Sequence, residues 1–529
     1  MTTSPSQPGV GDVHELEGPS SQQLPPIAWG PLAGLAATLA ATVLGFGLLG
    51  EYGLFIDEFY YLACADHLDW GFVDHPPLAP ALLWLSRALL GEGALALRLP
   101  VVLAGVATLF LTGLLARRLG GDAYAQSLAA LGVLMAPLPM LLFGFFSMNA
   151  FESLLWTACA YLLVLIEQRD EPRLWWLFGL VAGVGLLNKH TMVLFAVGLG
   201  VGLVMTGARR HLFERHLWTG LGIAALVFLP NLLWQLAHDW VTLDFYSGAA
   251  VKNVPTPPLQ VLVMQVLTMN PANVLLWGSA LVALLTSPRL RRYRHLGWLA
   301  TTLLVLAMAA QQSRPDRLAG MYPMLFAVGA VVVRERAQRP RWGWLRPAVP
   351  LAIVAVGLAL VPIGVPVLGP TAMSQYVEAI GVVPQVEAGQ GKTGELPQWW
   401  ADRFGWRQLA EEIDAIVASL DPEDRAEVAV FAPSYGQAGA LEHYATSGVP
   451  VYSTHNTYHL WGPPENPVTV ALVIGNDAES LGELFAEVEW LQTHDCTWCI
   501  RWRDDMPIWL VRQPHRPIAE VWPELRKLE

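Results

Sequence analysis

Long apolar segments recur through the first two thirds of this 529-residue chain, and they constrain its fold more than any other feature. Hydrophobic residues make up 54% of the sequence and charged residues only 14%, which leaves too little polar surface for an ordinary soluble protein. The segments that approach or exceed the ~20 residues of a transmembrane helix are 28–50, 98–116, 124–146, 150–166, 174–188, 191–207, 217–236, 271–286, 296–310, 318–333 and 347–368. We therefore predict a polytopic α-helical membrane protein with about eleven transmembrane helices. Several segments are short, so neighbours such as 174–188 and 191–207 can also be joined by a tight turn.

Basic residues in the short loops predict the orientation of these helices. Sixteen Lys and Arg residues fall in five alternate loops, near positions 117, 170, 210, 290 and 340, and only six fall in the opposite set. Loops rich in Lys and Arg stay in the cytoplasm. We therefore predict a multi-pass plasma-membrane protein with a cytoplasmic N-terminus. The region after residue 369 is then extracytoplasmic.

Composition divides the chain into three predicted regions. Residues 1–26 are polar and lack the basic start and small-residue cleavage site of a signal peptide, which indicates a disordered cytoplasmic tail. Residues 27–369 form the transmembrane domain, with a first outer loop at 51–97.

The third region, residues 370–529, has shorter apolar runs and a mixed pattern that predicts a soluble α/β domain. Helices are expected at 406–420, 434–444 and 481–489, and strands at 428–431, 468–474 and 508–511. From residue 371 onward, ten Lys and Arg stand against twenty-four Asp and Glu, which argues against nucleic acid as a partner.

The stretch 54–78 of the first outer loop concentrates polar residues beside the membrane. It contains the adjacent carboxylates Asp57 and Glu58, followed by Tyr60, Tyr61, Asp74 and His75. Charged groups near a bilayer are costly and often mark function. The alternative is a hydrated loop with incidental acids.

Other segments on the predicted outer side carry polar residues as well, namely Asn149, Glu152, Lys189, His190, Arg314, Arg317 and Tyr322. Lys189 and the two arginines are interface anchors in one interpretation. In the other, they bind the anionic head group of a phosphate-linked lipid. A carboxylate base combined with such cations suits group transfer from that lipid, and a transporter is the alternative.

The outer loop also carries a family resemblance. Asp57-Glu58 with Tyr60-Tyr61, the Trp70-Gly71 turn and Asp74-His75-Pro76-Pro77-Leu78 resemble the first outer loop of the GT-C membrane glycosyltransferases. Within them the loop is most similar to family 39, which includes protein O-mannosyltransferases, lipid A aminoarabinose transferases and rhizobial galacturonosyltransferases. The resemblance covers about residues 28–335, because residues 188–191 and 317–323 are similar to two later family segments.

This resemblance implies an inverting glycosyltransferase that moves a sugar from a polyprenyl-phosphate donor to a lipid, cell-envelope glycan or protein on the outer face. Asp57 would be the catalytic base, Glu58 would orient the acceptor or the base, and Lys189, Arg314 and Arg317 would hold the carrier phosphate. The other polar residues named above are expected to line the substrate site. No cofactor or metal is expected. The alternatives are a binder or transporter of lipid-linked sugar, and an enzyme whose outer domain performs the chemistry.

Two positions depart from the family pattern. His75 stands where aminoarabinose transferases have Lys, which argues against that activity. Asn149 stands near a common Asp, and Glu152 is a candidate substitute.

The predicted outer domain contains further polar and aromatic groups. Residues 435–438 and 455–464 suit contact with a sugar or acceptor, or pack within their own domain. Cys496 and Cys499 are spaced to close a small disulfide outside the cytoplasm, whereas two thiolates alone do not complete a zinc site.

Overall fold

The computed structural model describes residues 24–169, 171–252, 255–311, 314–381, 395–500 and 505–528. The predicted tail, residues 1–26, therefore lies almost wholly outside the described residues.

The membrane part consists of helices joined by short turns. These helices are α1 (Trp29–Leu49), α2 (Ile56–Asp66), α3 (Leu78–Leu90), α4 (Ala94–Arg118), α5 (Ala123–Leu134), α6 (Pro137–Leu142), α7 (Met148–Gln168), α8 (Leu174–Asn188), α9 (Met192–Val204), α10 (Arg215–Ala237), α11 (Val241–Lys252), α12 (Pro258–Thr268), α13 (Val274–Thr286), α14 (Arg294–Ala309), α15 (Tyr322–Ala337) and α16 (Leu345–Gly364). A helix overlaps each of the eleven predicted apolar segments.

Within the described ranges, six helices are long and apolar enough to cross a membrane, and eight spans result if each of two bent pairs is one span. The bends are 111° after α9 and 103° between α12 and α13. At the second bend Asn270 donates its side-chain amide to the carbonyls of Met135 and Ile353, both at 3.0 Å. These findings agree with a polytopic membrane protein, and the number eleven stays a prediction.

Small residues let several helices approach closely, as is common between membrane helices. A Cβ on Gly179 of α8 would lie 2.0 Å from the carbonyl oxygen of Gly220 in α10. A Cβ on Gly329 of α15 would lie 2.1 Å from the carbonyl oxygen of Leu276 in α13. The bundle that supports the outer loop is therefore tightly packed.

Polar contacts between the basic loops gather at one end of the bundle. Arg334 donates to Asp122 at 3.0 Å, Arg210 donates to Glu167 at 2.8 Å, and Arg117 donates to the carbonyl of Pro25 just before α1. The opposite end holds the C-terminus of α1, the N-terminus of α4 and the stretch 54–78. The basic loops and the outer loop are thus on opposite faces.

The C-terminal region is an α/β domain. Its elements are α17 (Pro370–Ile380), α18 (Gln398–Ala401), α19 (Trp406–Ser419), α20 (Pro422–Glu427), β1 (Ala429–Ala432), α21 (Tyr435–Tyr444), β2 (Val451–Ser453), α22 (Thr457–Leu460), β3 (Val470–Ile474), α23 (Ala478–Gly482), β4 (Phe485–His494), β5 (Met506–Pro514) and α24 (Ile518–Val521). As far as the structure describes the chain, the sheet order is β2-β1-β3-β5-β4. The strands β2, β1 and β3 are parallel, and β5 runs antiparallel to β3 and β4.

One predicted element of this domain is wrong. The helix expected at 481–489 is the short α23 followed by the edge strand β4. The i, i+4 spacing of Glu483 and Glu487 is compatible with an exposed helix face, but Val488 and Glu489 pair with Val511 and Leu510 of β5. Tertiary pairing therefore overrides the local helical pattern.

The α/β domain sits directly on the outer loop. A Cβ on Gly436 of α21 would lie 2.3 Å from the Ile56 side chain of α2, and a Cβ on Gly439 would lie 2.9 Å from the carbonyl oxygen of Phe59. The backbone N–H of Val73 donates to the Thr457 hydroxyl at 3.0 Å. Much of the stretch 54–78 is thus packed between the membrane helices and the α/β domain, while residues 66–70 are exposed.

Candidate active site

Asp57 lies in the first turn of α2, where the helix dipole favours a carboxylate. Its side chain is partly exposed, and its Oδ1 accepts a hydrogen bond from the Tyr435 hydroxyl at 3.0 Å. Burial raises the pKa of Asp57 to about 6, against the opposing effects of Arg314 and the Tyr435 hydrogen bond, and Asp74 adds to the rise. At neutral pH this carboxylate is mostly ionised and is able to accept a proton.

Glu58, the next residue, is fully buried and is held by protein contacts. Both of its oxygens accept hydrogen bonds from the Arg98 guanidinium, and they also accept from the backbone N–H groups of Phe55 at 2.9 Å and Phe146 at 2.7 Å. Burial alone would raise the pKa of Glu58, but the Arg98 charge holds it below its ordinary value. Glu58 therefore fixes the start of α2 against α4 and positions the neighbouring Asp57.

Tyr60 connects the outer loop with the α/β domain. Its hydroxyl donates to Asp74 Oδ1 at 2.8 Å and lies 2.5 Å from the Thr457 hydroxyl. Its ring stacks on that of Tyr435, with centroids 4.6 Å apart. Tyr60 thus orients the Asp74 carboxylate and also packs against Tyr435, the residue that donates a hydrogen bond to Asp57.

His75 lies in a buried aromatic setting. It is 1% exposed and is packed against Tyr61, with ring centroids 5.0 Å apart, and against Tyr60 and Phe72. Its Nε2 lies 3.9 Å from Asp74 Oδ1 and has no hydrogen-bond partner among the described residues. The hydroxyl of Tyr61 accepts from the backbone N–H of Met148 at 3.3 Å, which joins the loop to the start of α7.

A second group forms where α7 meets the turn after α8. The Lys189 ammonium donates to Asn149 Oδ1 at 2.5 Å and to Glu152 Oε2 at 2.9 Å, and Thr191 donates to the other oxygen of Glu152. The predicted residues Asn149, Glu152 and Lys189 are thus in direct contact. The positive charge of Lys189 is largely neutralised by Glu152.

His190 joins this second group to the outer loop. Its Nδ1 lies 3.0 Å from the Tyr246 hydroxyl and its Nε2 lies 3.3 Å from Asn231 Oδ1, while the Asn231 amide donates to the carbonyl of Trp70 at 2.8 Å. Burial raises the pKa of Tyr246 to about 12; the charge of Asp74 adds to the rise and that of Arg317 opposes it. Tyr246 therefore lies within the electrostatic influence of Asp74 in the outer loop and of Arg317 after α14.

The remaining predicted residues lie after α14. Arg314 is 44% exposed, its Nε is 3.4 Å from Asp316 Oδ1, and its charge acts on Asp57. Tyr322 is fully buried and donates to Gln265 Oε1 at 2.9 Å, and it packs edge-on against Trp277. The contacts of Tyr322 are those of a core residue.

The sequence did not single out Arg98, Asn231 or Tyr246. Tyr435 and Thr457 lie in the two stretches of the α/β domain considered for sugar contact, but their contacts with Asp57 and Tyr60 cross 378 and 397 residues of sequence. The polar and aromatic composition of these two stretches was the only sequence signal for a role in the site. It did not indicate that Tyr435 contacts Asp57 or that Thr457 contacts Tyr60.

Comparison with known sequences supports the family resemblance. The family model described as dolichyl-phosphate-mannose-protein mannosyltransferase matches residues 74–234. The lipid A galacturonosyltransferase RgtD of Rhizobium johnstonii is 29% identical over 219 residues, which are 40% of this chain and 45% of RgtD. These matches support a GT-C glycosyltransferase of family 39. The predicted family resemblance is confirmed, and the match spans less than half of the length of this relative.

Solved structures support a GT-C fold. ArnT from Cupriavidus metallidurans bound to undecaprenyl phosphate has a TM-score of 0.57 at 13% identity, covering 90% of this chain and 97% of ArnT. The arabinofuranosyltransferase AftD from mycobacteria has a TM-score of 0.52 at 13% identity, covering 92% of this chain and 40% of AftD. Identities this low show a shared fold.

Proposed function

We propose that this protein transfers a sugar, with inversion, from a polyprenyl-phosphate donor to an acceptor on the outer face of the plasma membrane. The observation that carries the proposal is the setting of Asp57. Its partly exposed carboxylate lies at the junction of membrane helices and α/β domain, accepts a hydrogen bond from Tyr435 and lies in the field of Arg314. A group with a pKa of about 6 suits general-base catalysis near neutral pH.

The proposed reaction is a single displacement. Asp57 takes the proton of an acceptor hydroxyl while that oxygen attacks the anomeric carbon of the sugar. The bond from the anomeric carbon to the phosphate oxygen breaks, and the polyprenyl phosphate leaves with the electron pair. Attack opposite the leaving group inverts the anomeric configuration.

Arg314 and Arg317 are the first candidates to hold the departing phosphate. Arginine binds phosphate through paired hydrogen bonds and stabilises the charge that develops on it. Lys189 pairs with Glu152 at 2.9 Å, just as Arg314 pairs with Asp316 at 3.4 Å. The role of Lys189 is to share the phosphate or to hold Asn149 and Glu152 in place. Because these cations belong to the protein, we expect the transfer step to need no metal or other cofactor.

The names of the similar proteins suggest the first substrates to test. RgtD is described as a lipid A galacturonosyltransferase, and the ArnT structure contains undecaprenyl phosphate. A hexuronic acid on a polyprenyl phosphate is therefore the first donor, and a lipid-linked glycan is the first acceptor.

The test is consumption of polyprenyl-phosphate sugars by purified membranes, with nucleotide sugars as controls and a chelator in parallel. We expect one lipid-linked donor to be consumed and the product to have the inverted anomeric configuration by NMR, with no effect of the chelator. Consumption of nucleotide sugars alone, or retention of configuration, would overturn the proposal. A binder or transporter would bind the donor without consuming it.

A further inference from the structure

The α/β domain contains a compact group of potential metal ligands at the end of β4. The nitrogen and sulfur atoms of His494, Cys496 and Cys499 all lie within 4.8 Å of one another. His494 and Cys496 are buried, and Cys499 is partly buried. We propose that in its reduced form this group binds a zinc-like divalent metal ion. The site is separate from the proposed transfer chemistry and does not depend on it.

Glu412 of α19 contacts His494 and orients its ring for metal binding. Its Nδ1 lies 2.7 Å from Glu412 Oε2, so the proton of the neutral imidazole is on Nδ1 and the lone pair of Nε2 faces the sulfur atoms. Histidines that bind metals usually donate their other N–H to a carboxylate in this way, which fixes the tautomer and the ring orientation. Two thiolates alone do not complete a zinc site, and His494 supplies a third ligand.

Gly405 leaves space at the point where the three ligand atoms converge. A Cβ at this position would lie 2.5 Å from Cys499 Sγ, 2.9 Å from Cys496 Sγ and 3.3 Å from His494 Nε2. The φ of Gly405 is +85°, which also favours glycine. Any side chain here would occupy the space beside the sulfur atoms.

The metal-bound and oxidised states exclude each other. Cys496 and Cys499 form a disulfide in the structure. Reduction of the disulfide takes two electrons from a dithiol or phosphine reductant, together with two protons, and gives two thiols. Each thiol then loses its proton when its sulfur binds the metal. Metal binding would then hold the end of β4 against the start of α19, whose Trp406 packs edge-on against Phe59 of α2 at 5.6 Å.

The test uses the full-length protein in detergent, reduced with a phosphine under nitrogen, freed of reductant and titrated with Co²⁺. We expect about one Co²⁺ per chain, with a thiolate-to-cobalt charge-transfer band in the near ultraviolet and visible bands typical of tetrahedral coordination. Zn²⁺ should displace the cobalt. The protein with its disulfide intact should show no band.

Variants separate the site from other thiols. Cys499→Ser should abolish the band, and Glu412→Gln should weaken Co²⁺ binding by about 10- to 100-fold, the usual cost of losing such a supporting carboxylate. Cys159→Ser is the matched control, because Cys159 is a buried cysteine outside this group, and it should leave the band unchanged. A reduced, monodisperse wild-type protein without a thiolate–cobalt band would overturn the proposal. So would a band of equal affinity in His494→Ala.

Discussion

At the scale of single residues, the central feature is the hydrogen bond from Tyr435 to Asp57. Because this bond stabilises the ionised carboxylate, it works against the rise in pKa that burial causes. The wild-type kcat/KM for transfer should therefore rise with pH and reach half of its maximum near pH 6, the pKa of Asp57.

Removing the Tyr435 hydroxyl should shift this profile. In Tyr435→Phe the ionised form of Asp57 loses a donor, its pKa rises, and the half-maximum should move up by about one pH unit. Tyr452→Phe is the matched control, since Tyr452 lies on β2 of the same domain, where it packs against Phe431. An unchanged profile in Tyr435→Phe would contradict the assignment of Asp57 as the titrating base.

Glu58 should matter for stability more than for chemistry. Glu58→Gln leaves the buried Arg98 guanidinium without its opposite charge, which typically costs about 3–5 kcal/mol, so the Tm in detergent should fall clearly. The matched control is Glu92→Gln in the same loop. Glu92 is exposed and pairs with Arg87, a contact worth about 1 kcal/mol or less.

Equal Tm values for the Glu58 and Glu92 variants would show that the buried ion pair does not hold α2 in place. Recovery of the Tm in the double variant Glu58→Gln with Arg98→Gln would support the pair, because the uncompensated charge is then gone.

Residue identity was more predictable than residue contacts. Asp57, Asp74 and His75 could be singled out because acids and a histidine beside an apolar segment are unusual. The roles of Tyr435 and Thr457 could not be predicted, because they arise from the docking of two distant segments. The sequence pattern also does not distinguish Asp57, which is partly exposed, from Glu58, which is fully buried.

At the scale of elements, the site depends on the close packing of α21 on α2. Gly439 lets the two helices touch, since a Cβ there would lie 2.9 Å from the carbonyl oxygen of Phe59. This neighbour is backbone and cannot rotate away. Gly439→Val should therefore push α21 outward, move Tyr435 away from Asp57 and lower transfer by about tenfold or more while membrane insertion is retained.

The matched control for this variant is Gly482→Val. Gly482 ends α23, is exposed, and has nothing within 4 Å of the position of an added Cβ. We expect its transfer rate to equal that of the wild type. A full rate in Gly439→Val would mean that the packing of α21 on α2 does not support the site.

Apolar periodicity predicted the positions of the membrane helices well, and it predicted their bends poorly. The break between α12 and α13 depends on Asn270, whose amide caps carbonyls from residues 83 and 135 positions away in sequence. The strand β4 was misjudged for a similar reason, because pairing with β5 decides its conformation. A local sequence pattern does not indicate the distant carbonyls that Asn270 contacts or the strand with which β4 pairs.

At the scale of the whole molecule, the structure places the outer loop and the α/β domain on one face and the basic loops on the other. The counts of Lys and Arg predict that the basic face is cytoplasmic. The test is labelling of single cysteines with a membrane-impermeant maleimide. Native cysteines interfere little, because Cys64 and Cys159 are buried and Cys496 is paired with Cys499.

The two introduced cysteines should label differently. Glu479→Cys, exposed on the α/β domain, should react in intact cells, and Arg209→Cys, exposed at the basic face, should react only after permeabilisation. The reverse pattern would place the proposed active site in the cytoplasm.

The most direct test of Asp57 as the catalytic base measures donor binding and sugar transfer in the same preparation of wild type and Asp57→Asn. Burial raises the pKa of Asp57 to about 6, so ionising this carboxylate costs folding free energy as the pH rises from about 4 through 6. Asparagine carries no charge and avoids this cost. The Asp57→Asn variant should therefore stay folded. We predict that Asp57→Asn binds the polyprenyl-phosphate sugar about as tightly as the wild type and transfers it at least about 10²-fold more slowly. Transfer at the wild-type rate by the Asn variant would contradict the role of Asp57 as the base.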